Sequence, residues 1–219
     1  MSPLKIDLHV HTRYSNDAAI TLEQVIRYAQ KNGLDGVAVT DHDTVQGARR
    51  LMKQKSFLVV PGIEVSSLHG HILGLNITEP IQPKLDITQT AEKIRQLGGI
   101  TVIAHPSVVI KTGLGTTITS ASTIDAVEVI NASAFPFFLS TYLGRRLARR
   151  LDLPQTAGTD AHYPEEIGSA YTTIDADSNR DDVTEAILHG KTEIFGKPIS
   201  WIRRLGRASE DIQRKLRGL

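Results

Sequence analysis

Short β-branched runs alternate along this chain with segments whose apolar positions recur every three or four residues. That alternation predicts βα units wound around a parallel sheet. Residues 5–10 and 36–40 read as the first two strands. Between them Leu22, Val25, Ile26 and Ala29 fall at i, i+3, i+4 and i+7, the spacing of one helical face. Thr21 and Gln24 form a capping box at the start of that helix, and Gly33 ends it. The rhythm continues with strands over 57–66 and 71–77, the second followed by Pro80 and Pro83. Ile87, Ala91, Ile94 and Leu97 then mark a helix stopped by Gly98-Gly99. Further strands are expected at 100–104, 126–130, 155–159 and 171–174. Leu139, Leu143, Leu147 and Leu151 line a helix, and a last one is expected over 179–189 with Asp181 and Asp182 in its first turn.

The expected architecture is therefore α/β, with a closed barrel as the natural solution for so many βα units and an open doubly wound sheet as the alternative. Residues 107–123 break the pattern: they are rich in Gly, Thr and Ser, show no period, and read as a long loop. The final twenty residues read as an amphipathic helix, with Trp201, Leu205, Ala208, Ile212 and Leu216 on one stripe. That helix is expected to lay its stripe on the barrel and keep its arginines in water.

Composition removes several function classes. Apolar residues are 40% of the 219, charged residues 22%, and Gly plus Pro 26, which excludes disorder, collagen and coiled coil. There is no cysteine, so disulfide scaffolds, cysteine nucleophiles and thiolate metal sites are excluded together. The residues before Gly33 hold no apolar run long enough for a signal peptide or membrane span, so a cytoplasmic protein without membrane attachment is expected. The net charge of +1 is uneven. Lys197, Arg203, Arg204, Arg207, Arg214, Lys215 and Arg217 stand against Glu210 and Asp211, a local +5 that leaves −4 on residues 1–196. The acidic body disfavours a broad nucleic-acid surface, while the tail is a candidate contact for polyanions.

Histidine carries the chemistry. Of eight, six sit at or just past the C-terminal ends of expected strands: His9, His11, His42, His71, His105 and His162. Asp7, His9 and His11, two apart in a strand, share a face, and Asp160 with His162 repeats the spacing. Glu64 follows Pro61-Gly62-Ile63. In a βα barrel these ends converge on one rim, and imidazoles and carboxylates gathered there without thiols suit Zn, Mn or Fe. His69 reads as a loop residue, and His189 sits in a helix's last turn, where a basic group suits the dipole.

The sequences Asp7-Leu8-His9-Val10-His11-Thr12, Thr40-Asp41-His42-Asp43, Gly62-Ile63-Glu64, Ala104-His105-Pro106 and Gly158-Thr159-Asp160-Ala161-His162 occur in that order. Together they resemble the PHP (polymerase and histidinol phosphatase) family, from Asp7 to about Gly196. The resemblance implies a distorted (β/α)7 barrel domain over residues 1–196, with the basic helix of 197–219 as part of it or as an arm. It also implies two or three divalent metals: one on His9, His11, Glu64 and Asp160; a second on Glu64 as a bridge with His71 and His105; a third on His42, His162 and Asp17.

The activity implied is hydrolysis of a phosphate ester by a metal-bound hydroxide at a trinuclear site, with Glu64, His105, Asp160 and His162 as the catalytic candidates. Arg13, Lys111 and Asn131 are candidate contacts for the substrate phosphate, and Asp7 and Asp41 are expected to orient ligand histidines. Substrates in such a family include histidinol phosphate, nucleoside bisphosphates and short oligonucleotides. A small phosphomonoester or a nucleotide end is the expected substrate here. Two rival readings are a metal-dependent hydrolase of C–N bonds, related through the His-x-His barrel, and a non-catalytic module that binds metal, and nucleic acid through the basic tail.

Overall fold

A computed structural model describes residues 2–106 and 123–204. Nine strands and five α-helices follow one another among them: β1 Leu4–Val10, α1 Leu22–Lys31, β2 Gly36–Val39, α2 Gln46–Leu51, β3 Leu58–Ser67, β4 Gly70–Leu75, α3 Ile87–Gln96 and β5 Ile100–Ile103. Then come β6 Ala126–Asn131, α4 Phe137–Leu151, β7 Gln155–Gly158, β8 Ala170–Ile174, α5 Arg180–Leu188 and β9 Thr192–Gly196. The strands form one sheet in the order β7-β6-β5-β4-β3-β2-β1-β8-β9. It curls until the two ends of that order nearly meet. The end of β1 bonds to the chain just past β7: Asp160 N–H donates to His9 O at 2.8 Å, and His11 N–H to Ala161 O at 3.0 Å.

The expected barrel is present, but half of its strand pairs are not parallel. β1–β2, β2–β3, β5–β6 and β6–β7 are parallel. β3–β4, β4–β5, β1–β8 and β8–β9 are antiparallel. The hairpin of β3 and β4 turns over Leu68 and His69, with Ser67 opposite Gly70 and Ser66 opposite His71. Because β4 runs backwards, His71 stands at the beginning of its strand, not past its C-terminal end as expected. Reversal still brings it to the rim where the parallel strands end.

Local signals behave as their chemistry requires. Thr21 Oγ1 accepts from Gln24 N–H while Gln24 Oε1 accepts from Thr21 N–H, and Asp86 with Gln89 repeats the capping box on α3. Two elements lacked such signals. α2 is six residues long with no side-chain cap, and β9 is a half-exposed edge strand with no clean alternation.

β1 is buried from Ile6 to Val10, so its apolar and polar faces are both enclosed. Ile6 and Leu8 pack with Val60, Leu73, Leu75 and Val102 and with Val183, Ala186 and Ile187 of α5. Each fully buried Leu, Ile or Val side chain contributes about 1.5–3 kcal/mol. That apolar layer forms the floor on which the polar rim is built.

The C-terminal segment departs from the expected stripe. Trp201 is 66% exposed and Ile202 84%, while Ile199 is the buried apolar residue. Arg204 is the side chain that grips the barrel, donating to Ile199 O, Ser133 O, Ala132 O and Ala134 O at 3.0–3.3 Å. Arg203 also reaches a carbonyl, that of Glu165. Arg204, half-buried with four carbonyl acceptors, is therefore not a solvated flank residue, whereas Arg203 makes its one contact from an exposed position. Leu205, Ala208, Ile212, Leu216 and the later basic residues lie outside the described residues. Among the described residues no helix is long and apolar enough to cross a membrane.

Candidate metal centre

Strand ends build the site because their side chains have nowhere else to converge. His9 and His11 turn their rings into one cluster, while a register shift in β1 between Asp7 and Val10 breaks the alternation and leaves Asp7 facing Thr159 and Gly168. His42 and Glu64 lie next to each other across the ends of β2 and β3, forming an isolated parallel bridge. Asp160 (φ 56°) and His105 (φ 29°) are both held in the left-handed region, a conformation L residues resist and that the surrounding fold must enforce. Gly158 is required by close approach: a Cβ there would meet His9 Cβ at 2.4 Å.

Nine side chains come together: His9, His11, Asp17, His42, Glu64, His71, His105, Asp160 and His162. Their ligand atoms fall into overlapping groups. His9, His11, Glu64 and Asp160 form one, and His11, Asp17, His42 and His162 another, each with its atoms within 4.8 Å of one another. Glu64 is at the centre. Its Oε2 lies 3.2 Å from His9 Nε2 and 3.0 Å from His11 Nε2, while its Oε1 lies 2.9 Å from both His71 Nδ1 and His105 Nε2. Asp17 Oδ2 stands 3.0 Å from His162 Nε2 and 3.3 Å from His42 Nε2. The other nitrogen of His42, Nδ1, is buried and makes no hydrogen bond.

The far side of several rings is already committed. His9 Nδ1 bonds Glu128 Oε1 at 2.8 Å, His11 Nδ1 meets Ser15 Oγ at 3.1 Å, and His162 Nδ1 meets Asp160 O at 3.0 Å. Glu128 and Asp160 O are acceptors, so those rings donate from Nδ1 and keep a lone pair on Nε2. Ser15 Oγ has its own acceptor in Asp41 and completes the same arrangement for His11. Lone pairs then converge on carboxylate oxygens, an acceptor-rich cage that a divalent cation satisfies.

Without a cation, protons must do that work. Burial penalises charge on His9, yet Glu128, Glu64 and Asp160 outweigh it and hold its pKa well above the ordinary value. The same contest, settled by Asp160 and Glu64, pushes His11 up to about 9. His105 is raised against its burial by Glu64. Conversely Glu64 and Asp160, although buried, are held well below the usual carboxylate range by the imidazoles, and Asp17 is lowered by His162 and His42.

Glu128 was not anticipated. It lies in the middle of a fully buried strand and carries two jobs: Oε1 takes His9 Nδ1–H, while Oε2 accepts from His105 N–H at 2.8 Å and Asn131 Nδ2 at 3.1 Å. An acidic residue inside the apolar run Ala126-Val127-Glu128-Val129-Ile130 was the available signal. Asp7 and Asp41 do different work from that expected. Asp7 accepts from the backbone N–H groups of His9, Thr159 and Gly168 and from the Thr159 hydroxyl, and burial pushes its carboxyl up to about 6 against those bonds. It ties β1 to the chain past β7 and touches no ligand ring. Asp41, also raised by burial, binds Thr12 N–H at 2.6 Å and reaches His11 only through Ser15.

A cleft of about 350 Å³ opens over the cluster, lined by His42, Glu64, His71, His105, Asp160 and His162 on its floor and by Asn131, Ser133, Ala134 and Phe135 on one wall. Asn131 lines the cleft and gives its amide hydrogens to Glu128 and to Asp160, at 3.1 and 3.3 Å, so it positions two acids. Arg13 is exposed, stacks over the Tyr14 ring and does not line the cleft. Lys111 lies outside the described residues.

Comparison with known proteins places this site in a family. Residues 7–135 match the PHP domain, and residues 142–192 match the PHP-associated family. An uncharacterized protein of Methanocaldococcus jannaschii is 35% identical over 142 residues, 59% of this chain and 82% of that one. Phosphoribosyl 1,2-cyclic phosphate 1,2-diphosphodiesterase of Eggerthella lenta is 43% identical over 82 residues, 33% of this chain and 31% of that one. Among solved structures, a two-domain protein from Bacteroides vulgatus, described as containing a predicted PHP-like metal-dependent phosphoesterase, shares the fold with a TM-score of 0.71. Its identity is 17%, and the match covers 90% of this chain and 65% of that one. The His-x-His strand, the shared Glu64 and the Asp160–His162 pair are thus features of a chain that belongs to the PHP domain family.

Proposed function

We propose that this protein is a metal-dependent phosphoesterase with a trinuclear site. His9, His11, Glu64 and Asp160 would hold one ion, Glu64, His71 and His105 a second, and Asp17, His42 and His162 a third. The observation that carries the reading is the division of Glu64: one oxygen faces His9 and His11, the other faces His71 and His105. A carboxylate shared between two sets of imidazoles would offset the charge of cations held on either side of it. The donor set, imidazole and carboxylate without thiolate, fits Zn, Mn or Fe.

Bound divalent metals supply a water of lowered pKa and polarise the phosphoryl oxygens. The chain's own residues supply placement. Glu128 and Ser15 fix the His9 and His11 rings, Asn131 holds Asp160, and His162, anchored through Nδ1, presents Nε2 beside Asp17. The open side of the cleft would leave room for a phosphate ester above these residues. The similarity to the Eggerthella lenta diesterase supports phosphate-ester chemistry and leaves the substrate to be found by assay. Purified protein is expected to contain divalent metal and to release phosphate from a panel of metabolite monoesters and nucleotides. Hydrolysis of amides without phosphate release would overturn the reading.

Metal uptake should be coupled to pH. Its ligands bind metal only when deprotonated, and His11 holds its proton up to about 9. Below that value each displaced proton weakens apparent affinity by up to about tenfold per pH unit. Affinity for Zn or Mn is therefore expected to fall steadily from pH 9 to pH 6, with proton release measured by calorimetry in buffers of different ionisation enthalpy. A flat profile would exclude the histidine cage as the binding site.

A further inference from the structure

The wall of the cleft holds a feature that metal chemistry does not use. Phe135 is 62% exposed, although it sits at the mouth of a polar site where a large apolar ring gains little by facing water. It is also held firmly in place. Trp201 packs against it at 5.2 Å with the ring planes 73° apart, and the Arg204 guanidinium lies over the ring at 5.8 Å. Arg204 is fixed in turn by carbonyls of residues 132, 133, 134 and 199, three of them in the loop that carries Phe135. An exposed ring on a braced loop has already lost the freedom that a ligand would otherwise have to remove.

Resting on the phosphoesterase reading, we propose that Phe135 is a stacking platform that selects phosphate esters bearing a planar aromatic ring, namely nucleoside phosphates. A phosphate seated over Glu64 and His105 leaves its ester arm to cross the wall formed by Ser133, Ala134 and Phe135, and a nucleobase there covers the open ring. Stacking of this kind is indifferent to base identity, because every base offers a π face.

The test compares adenosine 5′-monophosphate with glycerol phosphate on the metal-loaded full chain. Phe135→Ala should lower kcat/KM for the nucleotide by about 5- to 100-fold, mainly through KM. Glycerol phosphate should change less than twofold, and Phe135→Trp should keep the nucleotide preference. Trp201 is the chain's one tryptophan and touches the platform, so its emission reports docking without turnover. Adenosine monophosphate should shift that emission in the native chain and not in Phe135→Ala, whereas glycerol phosphate should leave it unchanged. Parallel losses on both esters, or no loss on either, would overturn the platform. If neither ester is hydrolysed but the nucleotide still moves Trp201 emission through Phe135, the platform stands and the phosphoesterase reading falls.

Discussion

Replacing Glu64 with Gln is expected to lower turnover by roughly three orders of magnitude, and further than replacing His42 with Ala. The substitution keeps volume and one oxygen but removes the charge that five imidazoles surround: His9, His11, His42, His71 and His105 all lie within 3.3 Å of its carboxylate. An amide presents oxygen to one side only, and its NH2 group would face imidazole lone pairs on the other. In the proposed scheme both ions held by Glu64 would be affected, and loss of about 4 kcal/mol of charge stabilisation corresponds to that factor. His42 turns its Nε2 towards Asp17, so in the proposed scheme its removal would touch the third ion and leave the pair on Glu64. Steady-state kinetics at saturating metal, with metal content measured for each variant, decides between them. More residual activity in Glu64→Gln than in His42→Ala would exclude Glu64 as the bridge.

The second large effect is expected from a residue that touches no metal in the proposed scheme. Glu128→Gln should reduce metal affinity and activity by about 10- to 100-fold, the usual consequence of removing the carboxylate behind a ligand histidine. Glu128 answers three donors at once: His9 Nδ1–H, His105 N–H and the Asn131 amide. A neutral amide at this position can accept from the His9 ring only by turning its own NH2 towards donors that then lose their acceptor. The signature is rescue: excess metal should restore much of the activity, because the ligands remain and only their orientation is loosened. Activity that stays low when metal content is restored would assign Glu128 a direct part in the reaction.

The sequence and the structure agree most closely where chemistry is local. The capping box at Thr21 declares a helix start by itself, and the two-residue spacing of His9 and His11 declares a shared face, one that Asp7 does not join because the register of β1 shifts after it. Motif order identified nine candidate ligands, and the fold gathers all nine. What depended on tertiary direction was less legible. Nothing in Gly70-His71-Ile72-Leu73 says that this strand runs against its neighbours, since an enclosed antiparallel strand has the same apolar run as a parallel one. Glu128 was overlooked because an acid in a buried strand gains meaning only from the rings that reach it across the barrel. A helical stripe makes Arg204 a solvated flank, because the carbonyls on the Ala132–Ala134 stretch that it binds are not visible in that pattern.

Closure of the sheet has a consequence for how this protein comes to exist as a folded object. His9 and His11 are contributed by the first strand, Asp160 and His162 by the chain about 150 positions later, and the bridge from Val10 to Ala161 is what joins them. The cage is thus among the longest-range contacts in the molecule, and loop-closure entropy makes such contacts late ones. A chain built from its N-terminus carries β1 and the β3–β4 hairpin before it carries Asp160 and His162, so the cage is complete only when the sheet closes. Metal bound as proposed would then act as a latch across the seam of the sheet, where a curled sheet would otherwise be free to open.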